Sequence, residues 1–152
     1  MKNLHIRFSF YGALIVALQS LPNIVWALFP PEVNRLDGNA SSVPFIEYGE
    51  HVLGAAIVVS LLFLVNKTRV NKIQRNVPAM IGYAAIAFYW LCWVLYFMGI
   101  QPNTVIYAMV IIPPVAFFTA GLAERVWPVS AASTLFLGFH LAVALENYPV
   151  GR

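Results

Sequence analysis

Residues 44–65 read PFIEYGEHVLGAAIVVSLLFLV, apolar almost throughout after His51. The stretch matches the roughly 20 residues that a helix needs to cross a hydrocarbon core about 30 Å thick. Its first turns carry Glu47, Glu50 and His51, groups that are expensive inside a bilayer. Read as a membrane span, the stretch sets the class of the whole chain and leaves those three side chains to be explained.

Working outward, four further stretches have the same character, and the spans are expected at about 8–29, 44–65, 77–98, 104–122 and 126–144. Composition agrees. The 152 residues are 61% hydrophobic, 14% aromatic and only 10% charged, where a soluble domain is about a quarter charged. The fold class expected is therefore an all-α integral membrane protein, a compact bundle of five transmembrane helices. No internal repeat and no low-complexity tract divides it, so residues 1–152 read as a single transmembrane domain.

The formal charge of +3 does not point to nucleic acid, because the basic residues cluster beside apolar spans instead of spreading over a face. Lys2 and Arg7 precede the first span, Lys67, Arg69, Lys72 and Arg75 follow the second, and Arg125 separates the fourth from the fifth. With five spans these segments share one side and hold seven of the nine basic residues. The positive-inside rule then predicts a cytoplasmic N-terminus and an outer C-terminus, in a multi-pass protein of the cell membrane, plasma or bacterial inner. Lys2, Arg7 and the segment Val25-Trp26-Ala27 also resemble a secretory signal, but the apolar stretch between them is longer than the core of such a signal. The single cysteine, Cys92, allows neither an intramolecular disulfide nor a cysteine-based zinc site.

The orientation places the polar residues in depth. At about 1.5 Å per residue, Glu47, Glu50 and His51 lie roughly 5–10 Å below the outer boundary, on one helical face continued by Gly54. Asn23, with Gln19 one turn deeper, and His140, with Ser133 and Asn147 on its face, reach similar depth from the first and fifth spans. Pro113-Pro114 in the fourth span removes two amide donors and leaves the carbonyls of Met109 and Val110 without helical partners. The third span is aromatic in its outer half, at Tyr89, Trp90, Trp93 and Tyr96.

These residues predict an outward-facing polar pocket. Asn23, Glu50, His51 and His140 line it, Glu47 stands at its mouth, and Gln19, Trp26, Trp90 and Trp93 form its wall. The segment from Pro30 to Val43 is placed to cover it, and includes the glycosylation-type triplet Asn39-Ala40-Ser41. Glu47 and His51 at i, i+4 with His140 suggest a metal site, but so short a pattern recurs by chance, and neither a metal nor a cofactor is expected.

In outline, five spans in about 150 residues with many aromatics are similar to the tryptophan-rich sensory proteins, with Trp26-Ala-Leu-Phe-Pro30-Pro31 carrying the likeness. The spacing of that segment differs and the aromatic run that follows it in those proteins is absent, so no family is assigned.

Three functions stay open. The first is binding or transfer of a small solute or ion, with Glu50 and His51 as the protonatable pair. The second is an intramembrane enzyme acting on a lipid or isoprenoid through His/Glu acid–base chemistry. The third is an accessory or assembly subunit whose polar groups only bond between helices. The partners expected are membrane lipid, a small-molecule or ion ligand, and a second copy of the chain or another membrane subunit, since five spans without an inverted repeat leave little room for a complete transport path.

Overall fold

A computed structural model describes residues 3–68 and 76–150. Lys2, Arg69, Lys72, Arg75 and Arg152 lie outside the described residues. Among the described residues, five helices are long and apolar enough to cross a membrane: α1 (Phe10–Leu28), α2 (Pro44–Phe63), α3 (Val77–Phe97), α4 (Asn103–Glu124) and α5 (Trp127–Asn147). The chain is thus a multi-pass helical bundle.

Local chemistry explains where the helices start and stop. Ser9 Oγ accepts from the Gly12 amide at 2.9 Å and Asn76 Oδ1 from the Ala79 amide at 2.9 Å, capping α1 and α3. Prolines stand in the first turns of α2, α3 and α5, where the missing amide costs nothing. α4 ends through Arg125 in the left-handed region, at φ 58°. There the Val126 amide bonds the Gly121 carbonyl at 2.8 Å and the Arg125 amide bonds that of Leu122 at 3.1 Å, a Schellman arrangement that turns the chain straight into α5.

Successive helices run antiparallel, so the bundle has two ends. At one end, β1 (Leu4–Ile6) pairs antiparallel with β2 (Leu64–Asn66), Leu4 opposite Asn66 and Ile6 opposite Leu64. This hairpin was not expected from the sequence. It stops α2 at Phe63, short of the expected 65, because the backbone turns extended to meet the N-terminal strand. It also draws α1 against α2 so closely that a Cβ on Gly12 would stand 1.9 Å from the Leu61 carbonyl oxygen. At the opposite end, α5 continues past the expected 144 to Asn147, whose Nδ2 donates to the Val143 carbonyl one turn back.

α4 is the most buried helix and the centre of the bundle. Its buried face includes Ala116, Ala120, Gly121 and Ala123, small residues that let α3 and α5 approach along its length. α2 packs mainly on α5, and α1 closes against α2, α3 and α4. Apolar packing dominates toward the hairpin, around Ile15, Ile57, Leu61 and Phe117. Toward the other end the core becomes aromatic, with Tyr89, Trp93, Tyr96 and Tyr148.

Candidate functional site

The aromatic end holds a half-open cavity of about 190 Å³. α1 contributes Asn23 and Trp26, α3 Tyr89 and Trp93, α4 Met109 and Val110, and α5 His140; Leu36 and Asn39 of the α1–α2 connection complete the wall.

Each wall follows from local sequence. On α1, Asn23 Nδ2 donates to the Gln19 carbonyl at 3.0 Å and to the Tyr89 hydroxyl at 2.9 Å, which joins α1 to α3 across the cavity. On α4, Met109 and Val110 are the residues whose carbonyls lose their partners one turn on, at Pro113 and Pro114. On α5, His140 stacks on Phe136, with ring centroids 4.9 Å apart. Its Nδ1 lies 2.8 Å from Glu50 Oε1 of α2. Glu50 does not line the cavity; it stands behind the histidine and is largely shielded, its side chain 18% exposed.

The roof is pinned in place. Trp26 Nε1 and the Tyr96 hydroxyl both donate to Asn34 Oδ1, at 2.8 and 2.7 Å, and the Leu36 amide donates to the Tyr96 oxygen at 2.9 Å. Arg35 bonds the Gln101 carbonyl and Asn103 Oδ1 and lies over the Tyr148 ring. The Tyr148 hydroxyl donates to the Arg35 carbonyl. Burial pushes this phenol up from its ordinary range, with Tyr96 adding and Arg35 opposing, so the donor keeps its proton. At the far side Glu146 accepts from Ser41 Oγ and the Ser42 amide, Glu47 Oε2 accepts from the Ser41 amide at 2.8 Å, and Asn147 Nδ2 donates to the Ala40 carbonyl.

Two residues of the wall each hold one polar side-chain atom buried without a hydrogen bond. Asn39 Oδ1 is one, which also turns the glycosylation-type triplet into part of the roof. Trp93 Nε1 is the other; it lies beside the Tyr89 hydroxyl without reaching a hydrogen bond.

The cavity therefore brings together Asn23, Trp26, Trp93 and His140 from the expected set, with Glu50 in contact with His140 and Glu47 at the roof's edge. Three other expected residues lie elsewhere. His51 is exposed and only 3.7 Å from Glu47, because one residue beyond Glu50 the helix has turned about 100° away from α5. The carboxylate that meets an imidazole closely is consequently Glu50, with His140 and not His51, and Glu47, His51 and His140 do not converge. Trp90 points outward and donates from Nε1 to the Leu18 carbonyl at 2.9 Å, the carbonyl that Pro22 leaves without a helical partner. Gln19 is buried one turn below Asn23, and neither amide atom has a hydrogen bond. A Cβ added at Gly54 would stand 3.6 Å from the Phe136 ring, ordinary contact that requires no glycine. Ser133 is buried and bonds the Val129 carbonyl.

Sequence reasoning missed Asn39 as a cavity wall and Glu124 altogether, and left Tyr89 between a pocket wall and an interfacial aromatic belt. Glu124 is fully buried at the hairpin end and accepts from Ser9 Oγ. Its place between two spans and beside Arg125 reads as loop, and only the tight α4–α5 link tucks it inside. The signal for Tyr89 was its helical register with Trp93.

Compared with protein-family models, curated proteins and solved structures, the chain matches none of them.

Proposed function

We propose that this protein binds a small solute or ion in the roofed cavity, entering from the outer side of the cell membrane, with Glu50 and His140 as the protonatable pair. The N-terminus is then cytoplasmic and the roof external, the orientation that the basic residues favour. The observation carrying the reading is a cavity of about 190 Å³ to which α1, α3, α4, α5 and the α1–α2 connection all contribute, with polar residues Asn23, Asn39, Tyr89 and His140 in its lining and Glu50 bonded behind His140. A space of this order accepts about one benzene-sized molecule, so the solute is small.

A second reading has one specific observation behind it. An apolar groove of about 430 Å³ between α1 and α3, lined by Leu21, Pro22, Val25, Trp90 and Val94 among others, shares Trp93 with the cavity. Such a neighbour suits an amphiphile with its head in the cavity and its tail in the groove, the shape of a lipid or isoprenoid substrate.

Thermal unfolding of the detergent-purified protein tests the first reading against small cations, anions, zwitterions and neutral polyols. The expected result is a saturable rise in Tm with one class, removed by Asn39→Leu and by His140→Phe. No response in any class, or one that survives both substitutions, overturns it.

A further inference from the structure

We infer that the outward face of α2 is a homodimer interface, on which Glu47, Tyr48 and His51 of one copy meet the same three residues of a second. The surface lies outside the cavity and stays the same whatever the cavity binds.

α2 needs its whole length to cross the membrane. Its 20 residues, rising about 1.5 Å each, cover about 30 Å, the thickness of the hydrocarbon core. Residues 52–63 alone would cover only about 18 Å, so His51 lies about 10 Å inside the span. Ionisable groups at such depth ordinarily face a bundle interior or a wet cavity. Glu50 turns to α5 and His140, but the His51 side chain is 68% exposed on the outside of the bundle. Its polar neighbour among the described residues, Glu47 Oε1, is 3.7 Å away, beyond hydrogen-bond reach. An imidazole so placed faces lipid unless another chain covers it.

The surface around His51 has the form of a helix–helix contact. α2 is less buried than any of the other four spans. Tyr48, His51 and Ala55 are exposed, and Val58 and Leu62 partly so. Their spacing alternates three and four residues, the seam along which two helices supercoil. Ala55, midway along it, has the small side chain that lets membrane helices approach closely. Two copies in one membrane share an orientation, so a two-fold axis along the membrane normal runs their α2 helices parallel and sets each residue level with its counterpart. Carboxylate, phenol and imidazole then lie at one level on both sides, groups that can donate to and accept from one another. Lipid tails would leave all of them unmatched.

The test has two arms, both on the full-length chain. In native membranes, oxidation should trap a disulfide-linked dimer through Ala55→Cys or Val58→Cys, but not through Leu91→Cys or Val94→Cys on the exposed face of α3; the native Cys92 is buried. In phosphatidylcholine vesicles, energy transfer between labelled copies of the pure protein should report the same dimer. His51→Leu is expected to weaken it about tenfold, two symmetry-related hydrogen bonds at about threefold each, and Ala55→Phe to abolish it. Both variants should keep the wild-type Tm at detergent dilutions where the protein is monomeric, since both side chains stand on the outside of a single copy. Monomers at every protein density, cross-links through α3 and not α2, or a dimer indifferent to both substitutions overturns the interface. Cross-linking of Ala55→Cys to a different protein, with the pure chain monomeric, overturns the second copy as its occupant.

Discussion

Glu50 Oε1 on α2 and His140 Nδ1 on α5 lie 2.8 Å apart, a polar contact between two helices with both side chains largely shielded. The pair ties α2 to α5 and occupies Nδ1 of His140. Glu50→Leu and His140→Leu should each lower Tm, because each strands the other's polar group. Interhelical bonds in membranes are worth about 0.6 kcal/mol on average and up to about 1.7. A double-mutant cycle from unfolding in detergent is expected to show coupling in that range, and strict additivity would mean that the contact does not form.

His51 makes the contrasting prediction. Its side chain is 68% exposed and its partner Glu47 is 3.7 Å away, so His51→Ala should change stability by less than about 0.5 kcal/mol. Any ligand-induced rise in Tm should survive it. A loss of ligand response in His51→Ala would show that the site extends to the outward face of α2.

Trp90 repairs the helix that Pro22 breaks. Removing the indole donor in Trp90→Phe strands the Leu18 carbonyl and is expected to cost about 0.6–1.7 kcal/mol. Pro22→Ala restores the backbone amide that Leu18 lacks, so Trp90→Phe should be much milder in that background. Equal effects in both backgrounds, read from Tm, would assign Trp90 to packing alone.

Gly12 is required by backbone approach. A Cβ there would stand 1.9 Å from the Leu61 carbonyl oxygen, which cannot swing away as a side-chain end does. Gly12→Ala should destabilise by about 1–3 kcal/mol or more as α1 is forced off α2. Gly138→Ala, with nothing within 4 Å, is the neutral control.

The orientation has its own test. Cys92 is buried, so cysteines placed at the exposed positions Asp37 and Lys67 report accessibility with little background. A membrane-impermeant maleimide should label Asp37→Cys in intact cells and Lys67→Cys only after permeabilisation. The reverse pattern would invert the proposed topology.

The sequence by itself determined that the chain forms five helices long and apolar enough to cross a membrane, and roughly where. Runs of about 20 apolar residues have one stable solution in a bilayer, since each helix satisfies its own backbone. It also brought Asn23, Glu50 and His140 to a common depth, because helical rise is fixed at about 1.5 Å per residue. Rotation about each helix axis was not legible. Hydrophobic patterning gives a membrane helix little direction, since lipid and core are equally apolar.

Only the tertiary structure therefore decided that Glu50 meets His140 while His51 turns away, and that Trp93 faces the cavity while Trp90 repairs α1. Two further features depended on contacts between segments far apart in the chain. Asn39 became part of a wall because Asn34, Arg35 and Ser41 are tied to three different helices. The hairpin formed because the residues before α1 found an extended partner after α2. Long-range pairing of this kind leaves no periodic trace in a sequence, whereas a span does.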